Sequence, residues 1–224
     1  MAHIHGIAGE WARVRGTVVG LWPLFLGVFD AGLSLGVCAV STSWGLGMFC
    51  ISLGCIGYSL RQGLRRTARF FVGARGEERV SGILKELPDR YHVFNDFEAG
   101  GVHVDHVVVG PAGVCGGERR YWRGGVTVEE GYVRGDGRLP SRSPLDQVRG
   151  EARRVHAALK KAGWDGAVTP VLVFASDTFQ AHIAEIQGTV IINSCEIRKS
   201  FSTERVVLPP AELDRLVSIM ENNA

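Results

Sequence analysis

The segment Val102-His103-Val104-Asp105-His106-Val107-Val108-Val109, with Gly110-Pro111-Ala112-Gly113 behind it, decides how the rest of the chain is read. It is β-branched and apolar on both faces, as a strand in the middle of a sheet is when both faces are covered. Gly-Pro-Ala-Gly is a turn, so Gly113 to Trp122 is expected to return as a second strand. Gly116-Gly117 weakens that strand by removing side chains from it. A polar residue, Asp105, interrupts the apolar run, and alternation sets it on the same side as Val107 and Val109.

Upstream of this pair, Tyr91 to Phe97 reads as a short strand. Val80, Ile83, Leu84 and Leu87, at i, i+3, i+4 and i+7, predict an amphipathic helix that follows Gly73-Ala74-Arg75-Gly76 and stops before Pro88. Downstream, Val126 to Val128 pairs through Gly131 with Tyr132-Val133 as a hairpin. Ser143-Pro144 has the form of an N-cap and first helical residue. The helix behind it carries an apolar stripe of Leu145, Val148, Ala152, Val155, Leu159 and Ala162. Val168 to Ala175 and Thr189 to Asn193 are further strands, and Pro210 with Leu213, Leu216, Val217 and Met220 marks a last helix. This order predicts an α/β domain, a mixed sheet flanked by helices.

The N-terminal part has a different composition. From Thr17 to Leu60 the only charged residue is Asp30, which accounts for a mean hydropathy of +0.09 in a chain of 224 residues. A bilayer core of about 30 Å needs roughly 20 apolar residues per helix. The stretch therefore predicts two transmembrane helices, about 17–40 and 44–60, turning through Ser41-Thr42-Ser43. A cleaved signal peptide has an apolar region of only about 7 to 15 residues and would not be followed by a second run. Arg13 and Arg15 before the first span, and Arg61, Arg65, Arg66 and Arg69 after the second, set both termini and the soluble domain in the cytoplasm, at the inner (plasma) membrane. His3 and His5 read as a polar tail.

The expected layout is a tail and helical hairpin over 1–69, the α/β domain over 70–200 and an extension with a helix over 201–224. Gly16–Gly20 and Gly32–Gly36 have the spacing by which helices of two copies pack into a homo-oligomer, although 30 glycines in the chain produce such spacing readily. Asp30 has no second ionisable residue in either span, which argues against a proton relay. Cys38, Cys50, Cys55, Cys115 and Cys195 contain no CxxC pair, and disulfides are not expected in a reducing compartment.

Chemistry is suggested by carboxylates. Glu77 lies three residues before Val80 and extends its helical stripe, Asp105 interrupts a strand, and Glu118 and Arg120 are two apart on the next strand and so share a face. Carboxylates at the end of a sheet suit magnesium, a hard cation with oxygen ligands. Spacing alone favours a helix-end acid, a turn or strand-edge acid and a solvent-facing one, since it says nothing of convergence in space.

Three runs together are more specific: Gly76-Glu77-Glu78-Arg79-Val80, then Val104-Asp105-His106-Val107-Val108-Val109-Gly110-Pro111-Ala112-Gly113-Val114, then Glu118-Arg119-Arg120-Tyr121-Trp122-Arg123-Gly124. They resemble the successive signatures of the nuclease-related domain, NERD, a family similar to the restriction-endonuclease-like PD-(D/E)xK superfamily. The resemblance runs from about Gly73 to Ile197. It implies a restriction-endonuclease-like fold and metal-dependent hydrolysis of DNA or RNA. It further implies Mg2+ or Mn2+ held by Glu77, Asp105 and Glu118, with Arg120 in the place of the motif lysine and Gln147 as the later glutamine. Arginine is bulkier, always charged and not interchangeable with lysine. Cys115-Gly116-Gly117 also stands where the family has an apolar run. Two readings follow, a membrane-tethered nuclease and a membrane-anchored relative that kept the fold and binds nucleic acid or partners without cutting.

Other chemistries are disfavoured. No GxSxG elbow, Walker A loop or GxGxxG turn is present. His103 and Asp105 are expected on one face of the strand and His106 on the other, so they do not share a metal and His106 reads as packed or hydrogen-bonded. Arg119 to Lys161 holds 11 Lys or Arg against 5 Asp or Glu, which is either a nucleic-acid path or a solvated helix face with Arg149, Arg153 and Lys160 outward.

Overall fold

The computed structural model describes residues 1–120, 125–129, 131–174, 183–202 and 206–222. It divides into two compact units, one of Glu10–Arg75 and one of Met1–Gly9 with Gly76–Ala224.

In the first unit, α1 (Glu10–Cys38) and α2 (Thr42–Tyr58) form a helical hairpin with Ser41 at the N-cap of α2. A π-helical turn, Ser59–Gly63, leads into α3 (Leu64–Leu84). Glu10–Cys38 and the continuous helical stretch Thr42–Leu84 are each long and apolar enough to cross a membrane, and 17% of each apolar window is buried. A Cβ on Gly16 would run into Phe70, one on Gly20 into Thr67, and one on Gly63 into the Gly20 carbonyl. The first small-residue pair is thus used inside the chain, while Gly32 and Gly36 meet nothing within 4 Å. Asp30 finds a partner after all, since the Ser52 hydroxyl lies 2.6 Å from its Oδ2.

α3 continues through Gly73-Ala74-Arg75-Gly76, which the sequence suggested as a lead-in rather than helix. Glycine within a helix costs only about 0.5–1 kcal/mol against alanine, and the alanine, arginine and glutamate residues Ala74, Arg75, Glu77, Glu78 and Arg79 around these glycines favour the helix.

The second unit is built on strands β1 (His3–His5), β2 (His92–Glu98), β3 (His103–Gly110), β4 (Gly113–Arg120), β5 (Val126–Glu129), β6 (Tyr132–Gly135), β7 (Val168–Phe174), β8 (Ile183–Ile186) and β9 (Thr189–Asn193). Seven of them form one mixed sheet in the order β1-β2-β3-β4-β7-β9-β8, and β5-β6 is the expected separate hairpin. The helices α4 (Pro144–Lys161), α5 (Ile197–Ser202) and α6 (Pro210–Glu221) complete it. On one face Val80 and Leu84 of α3, with Ile197 and Phe201 of α5, pack on Val93, Val108, Val171 and Ile192. On the other, Val155 and Leu159 of α4 and Leu216 and Met220 of α6 pack on Phe94, Val107, Val109 and Val114. Gly116-Gly117 does not interrupt β4, because both residues are paired to β3 on one side and to β7 on the other. Ladder bonds on both edges offset the conformational freedom of the glycines. The expected strand is described as far as Arg120, and Tyr121-Trp122 lies outside the described residues, as does Ala175 at the end of the Val168 strand.

His3 and His5 are not a tail. They form an edge strand parallel to β2, with His3 across from His92 and His5 across from Phe94. A ladder of rings holds it: His3 stacks on His92 at 4.7 Å and His5 on Phe94 at 4.3 Å between centroids. His5 Nε2 is 3.1 Å from His92 Nδ1, and His5 Nδ1 is 3.5 Å from Glu221 Oε1. A bond between two imidazole nitrogens needs one of them unprotonated. Burial first, then the charges of His3 and His5, hold His92 below the ordinary histidine value of 6.5, against the pull of Glu221 and Asp214. A histidine depressed in the folded state binds its proton more readily when unfolded. Its contribution is therefore complete above pH 6.5 and is lost as the pH falls below that value. Hydrogen-exchange protection of residues 2–6 is expected to drop on acidification through this range, and His92→Phe, which keeps a ring in the ladder, is expected to flatten the pH dependence.

Candidate active site

β4 carries Glu118 into the interior, where it is only 6% exposed. The neighbouring valine and leucine side chains supply no hydrogen bonds, and a buried carboxylate requires them. α4 provides one. The Ser143 Oγ accepts from the Asp146 backbone N–H at 3.2 Å, which fixes the start of α4 and sets Gln147 over β4. Gln147 Nε2 donates to Glu118 Oε1 at 2.6 Å and to Glu151 Oε1 at 3.2 Å. Because carboxylates only accept, the amide nitrogen must face both, and the orientation of Gln147 is decided by its neighbours. Glu151 was not singled out from the sequence. Its signal was its place four residues after Gln147, the spacing at which an amide and a carboxylate meet on a helix.

Asp105 sits where two strands part. The β3–β4 ladder ends at His106–Gly117, so Asp105 and Glu118 are the first residues beyond it, one register step further. Across on β2, Asp96 adopts a left-handed φ of 54° and is skipped between the pairs Asn95–His106 and Phe97–Val104. Phe94 and Phe97, three apart, consequently share a face and meet edge to face at 6.3 Å. Val104 and Val107, also three apart, lie in the same core cluster. The simple alternation expected through Asp105 therefore breaks at Asp105 itself. Such local faults re-aim a side chain.

Glu77 lies on α3, half-buried, on the helical line of Val80 and Leu84. That line packs against the sheet face opposite to α4. Among the described residues no three His, Cys, Asp or Glu side chains are grouped so that they could hold a metal ion. The structure thus brings together Glu118, Gln147 and Glu151, sets Asp105 beside the end of the same ladder, and leaves Glu77 on another element. Arg120 pairs along the backbone with Phe174 of β7, and its side chain lies outside what is described.

His106 is buried and its Nδ1 lies 2.8 Å from Asn95 Oδ1, the hydrogen-bonded core histidine expected. His103 Nδ1 lies 3.3 Å from the Asp96 carbonyl. Cys115 as a residue is half-buried, but its thiol lines a cavity of about 20 Å3 walled by Val80, Leu84 and Val108. These apolar surroundings push it up to about 12, which rules it out as a nucleophile at neutral pH. Of the basic residues on α4, Arg149 is structural, bonding Thr189 Oγ1 at 2.8 Å and the Ile186 carbonyl at 3.1 Å. Lys160 pairs with Asp165 at 2.8 Å and holds that exposed carboxylate below its ordinary range. A cleft of about 520 Å3 lined by Glu98, Arg154 and Lys161 contains none of the candidate acids.

A mixed sheet with helices on both faces and a hydrogen-bonded carboxylate at the end of a strand ladder defines an α/β protein with an acidic site. Residues 72–175 match the family described as nuclease-related domain, NERD, so this segment of the chain is a nuclease-related domain. The match includes Glu77, Asp105, Glu118, Arg120 and Gln147 and stops short of Ile197, leaving β1, β8, β9, α5 and α6 outside it. No curated protein and no solved structure matches the chain.

Removing the shared donor is expected to cost stability. A hydrogen bond to a charged group contributes about 1.5–3 kcal/mol, and Gln147 is exposed, so Gln147→Leu should lower unfolding free energy in urea by about 1 kcal/mol. Gln147→Glu should cost more at neutral pH, by setting three carboxylates together, and recover on acidification as one of them takes up a proton.

Proposed function

We propose that the nuclease-related domain hydrolyses phosphodiester bonds of nucleic acid with a divalent cation, and that the N-terminal helices tether it to the inner membrane with the domain in the cytoplasm. The observation that carries the reading is the Glu118 carboxylate, buried at the end of the β3–β4 ladder and held by the Gln147 amide. Solvation would leave an acid outside.

Magnesium and manganese fit this donor set. Magnesium prefers oxygen ligands, keeps several waters and is commonly held by one or two carboxylates together with substrate phosphate. Glu77, Asp105 and Glu118 are the carboxylates that would hold it, Asp105 and Glu118 lying one register step beyond the end of the β3–β4 ladder. When bound, the cation supplies Lewis-acid stabilisation of the charge that develops on the phosphate. The rest is done by the chain. Gln147 keeps Glu118 in one orientation and sits as a neutral donor between two carboxylates, which lessens their repulsion. Arg120, two residues along the strand, offers a permanent cation to the phosphate. Burial of Glu118 under α4 keeps that carboxylate from water.

The tether is supported by the apolar helices and their exposed surface, including Phe29 at 70% and Leu35 at 67%. Trp22 and Tyr58 at one end of the hairpin and Trp44 at the other match the aromatic belts of the two bilayer interfaces. The hydrogen bond from Ser52 satisfies Asp30 within the hairpin and favours an anchor over a transport path. A second reading, a lapsed nuclease that binds nucleic acid or serves as a scaffold, is favoured by arginine at position 120, in the place of the motif lysine.

Full-length protein in detergent, with labelled single- and double-stranded DNA and RNA, is expected to cut in magnesium or manganese and not in EDTA. Asp105→Ala and Glu118→Ala should abolish cutting, and Gln147→Ala should lower it by about 10- to 100-fold, as loss of a residue that orients a ligand does. Cutting only after Arg120→Lys would establish the lapsed nuclease. Silence from both forms would leave the scaffold.

A further inference from the structure

We infer that the arginine-rich segment after the second apolar helix binds anionic lipid headgroups; this deepens the tether reading above and rests on it. Between Tyr58 and Gly76 there are five arginines, Arg61, Arg65, Arg66, Arg69 and Arg75, and no acidic residue. Arg61, Arg65, Arg66 and Arg69 are all exposed. Arg61, Arg65 and Arg69 are spaced by four, so they fall along one side of the helical segment. α1 runs alongside: Gly20 meets Gly63, and Thr67 Oγ1 donates to the Gly16 carbonyl at 3.2 Å. That packing brings exposed Arg15 of α1 to the same end of the helical unit.

The residues between the arginines decide which phosphate they meet. Leu60 is 50% exposed, Leu64 52% and Val72 59%. A nucleic-acid backbone offers such side chains nothing, since it is hydrated and charged on its outer surface. A bilayer interface satisfies both kinds at once, with acyl chains for leucine and valine and phosphates for the guanidinium groups. Four to eight basic residues directly beside a spanning helix are the arrangement that attracts anionic lipid.

The test uses the full chain in detergent, titrated with short-chain phosphatidylglycerol or with phosphatidylcholine of the same length and followed by tryptophan fluorescence. Phosphatidylglycerol is expected to bind more tightly, and affinity to fall about fivefold for each arginine removed. R61Q/R65Q/R69Q should therefore lose about 100-fold, while R61K/R65K/R69K keeps most of the binding and shows that charge rather than folding is responsible. Equal binding of the two lipids, or full binding by the glutamine variant, would overturn the inference. So would displacement of the lipid by an oligonucleotide, or by inorganic phosphate, at concentrations below that of the lipid. Flotation with phosphatidylcholine vesicles after reconstitution tests the tether separately. A chain that fails to float yet binds phosphatidylglycerol through these arginines refutes the tether alone.

Discussion

β4 is the strand on which the soluble unit depends. It is bonded to β3 on one edge and β7 on the other, its side chains meet α4 on one face and the α3 side on the other, and it ends by carrying an acid into the interior. The carboxylate there is hydrogen-bonded by a donor from α4 at 2.6 Å. Burying an ion without such a partner costs several kcal/mol, far more than local propensity can offset. Position of helix, position of strand and orientation of acid are thus one constraint. The Ser143 cap, the stripe from Leu145 to Leu159 and the Gln147–Glu118 bond are its three expressions.

The same economy explains the fault at Asp105. A left-handed Asp96 on β2 shifts side-chain parity so that Phe94 and Phe97 both face the core. The partner strand must shift too, and it does so at Asp105, beside the end of the β3–β4 ladder. Core packing absorbs the fault, with Phe94, Phe97, Val104 and Val107 in one cluster, while the acid sits where the β3–β4 ladder ends. Aspartate tolerates left-handed geometry better than most residues, which makes position 96 a workable place for it.

The helical unit follows a different logic. Glycines at 16, 20 and 63 let backbones approach closely, and a serine satisfies the single carboxylate. Small-residue contacts and interhelical hydrogen bonds join these helices. Arginines gather at one end of the unit and none occurs along the apolar stretch, so charge and hydropathy divide the unit along its length.

Periodicity in the sequence was enough to determine the central strands, the β5-β6 hairpin, the capped α4 and the two apolar helices, because each is specified by side chains within a few residues of one another. The family resemblance was legible for the same reason, in short runs around Glu77, Asp105 and Glu118 that the match over residues 72–175 includes. What depends on residues far apart in the chain could be decided only by tertiary structure. The edge strand His3–His5 is held by rings almost ninety positions away, the helix through Gly73–Gly76 is continuous despite its glycines, and Glu151 joins Glu118 through a shared amide. A strand of three residues has no period to read, and a hydrogen bond between α4 and β4 leaves no local trace. These features exist because folding brings their partners within bonding distance.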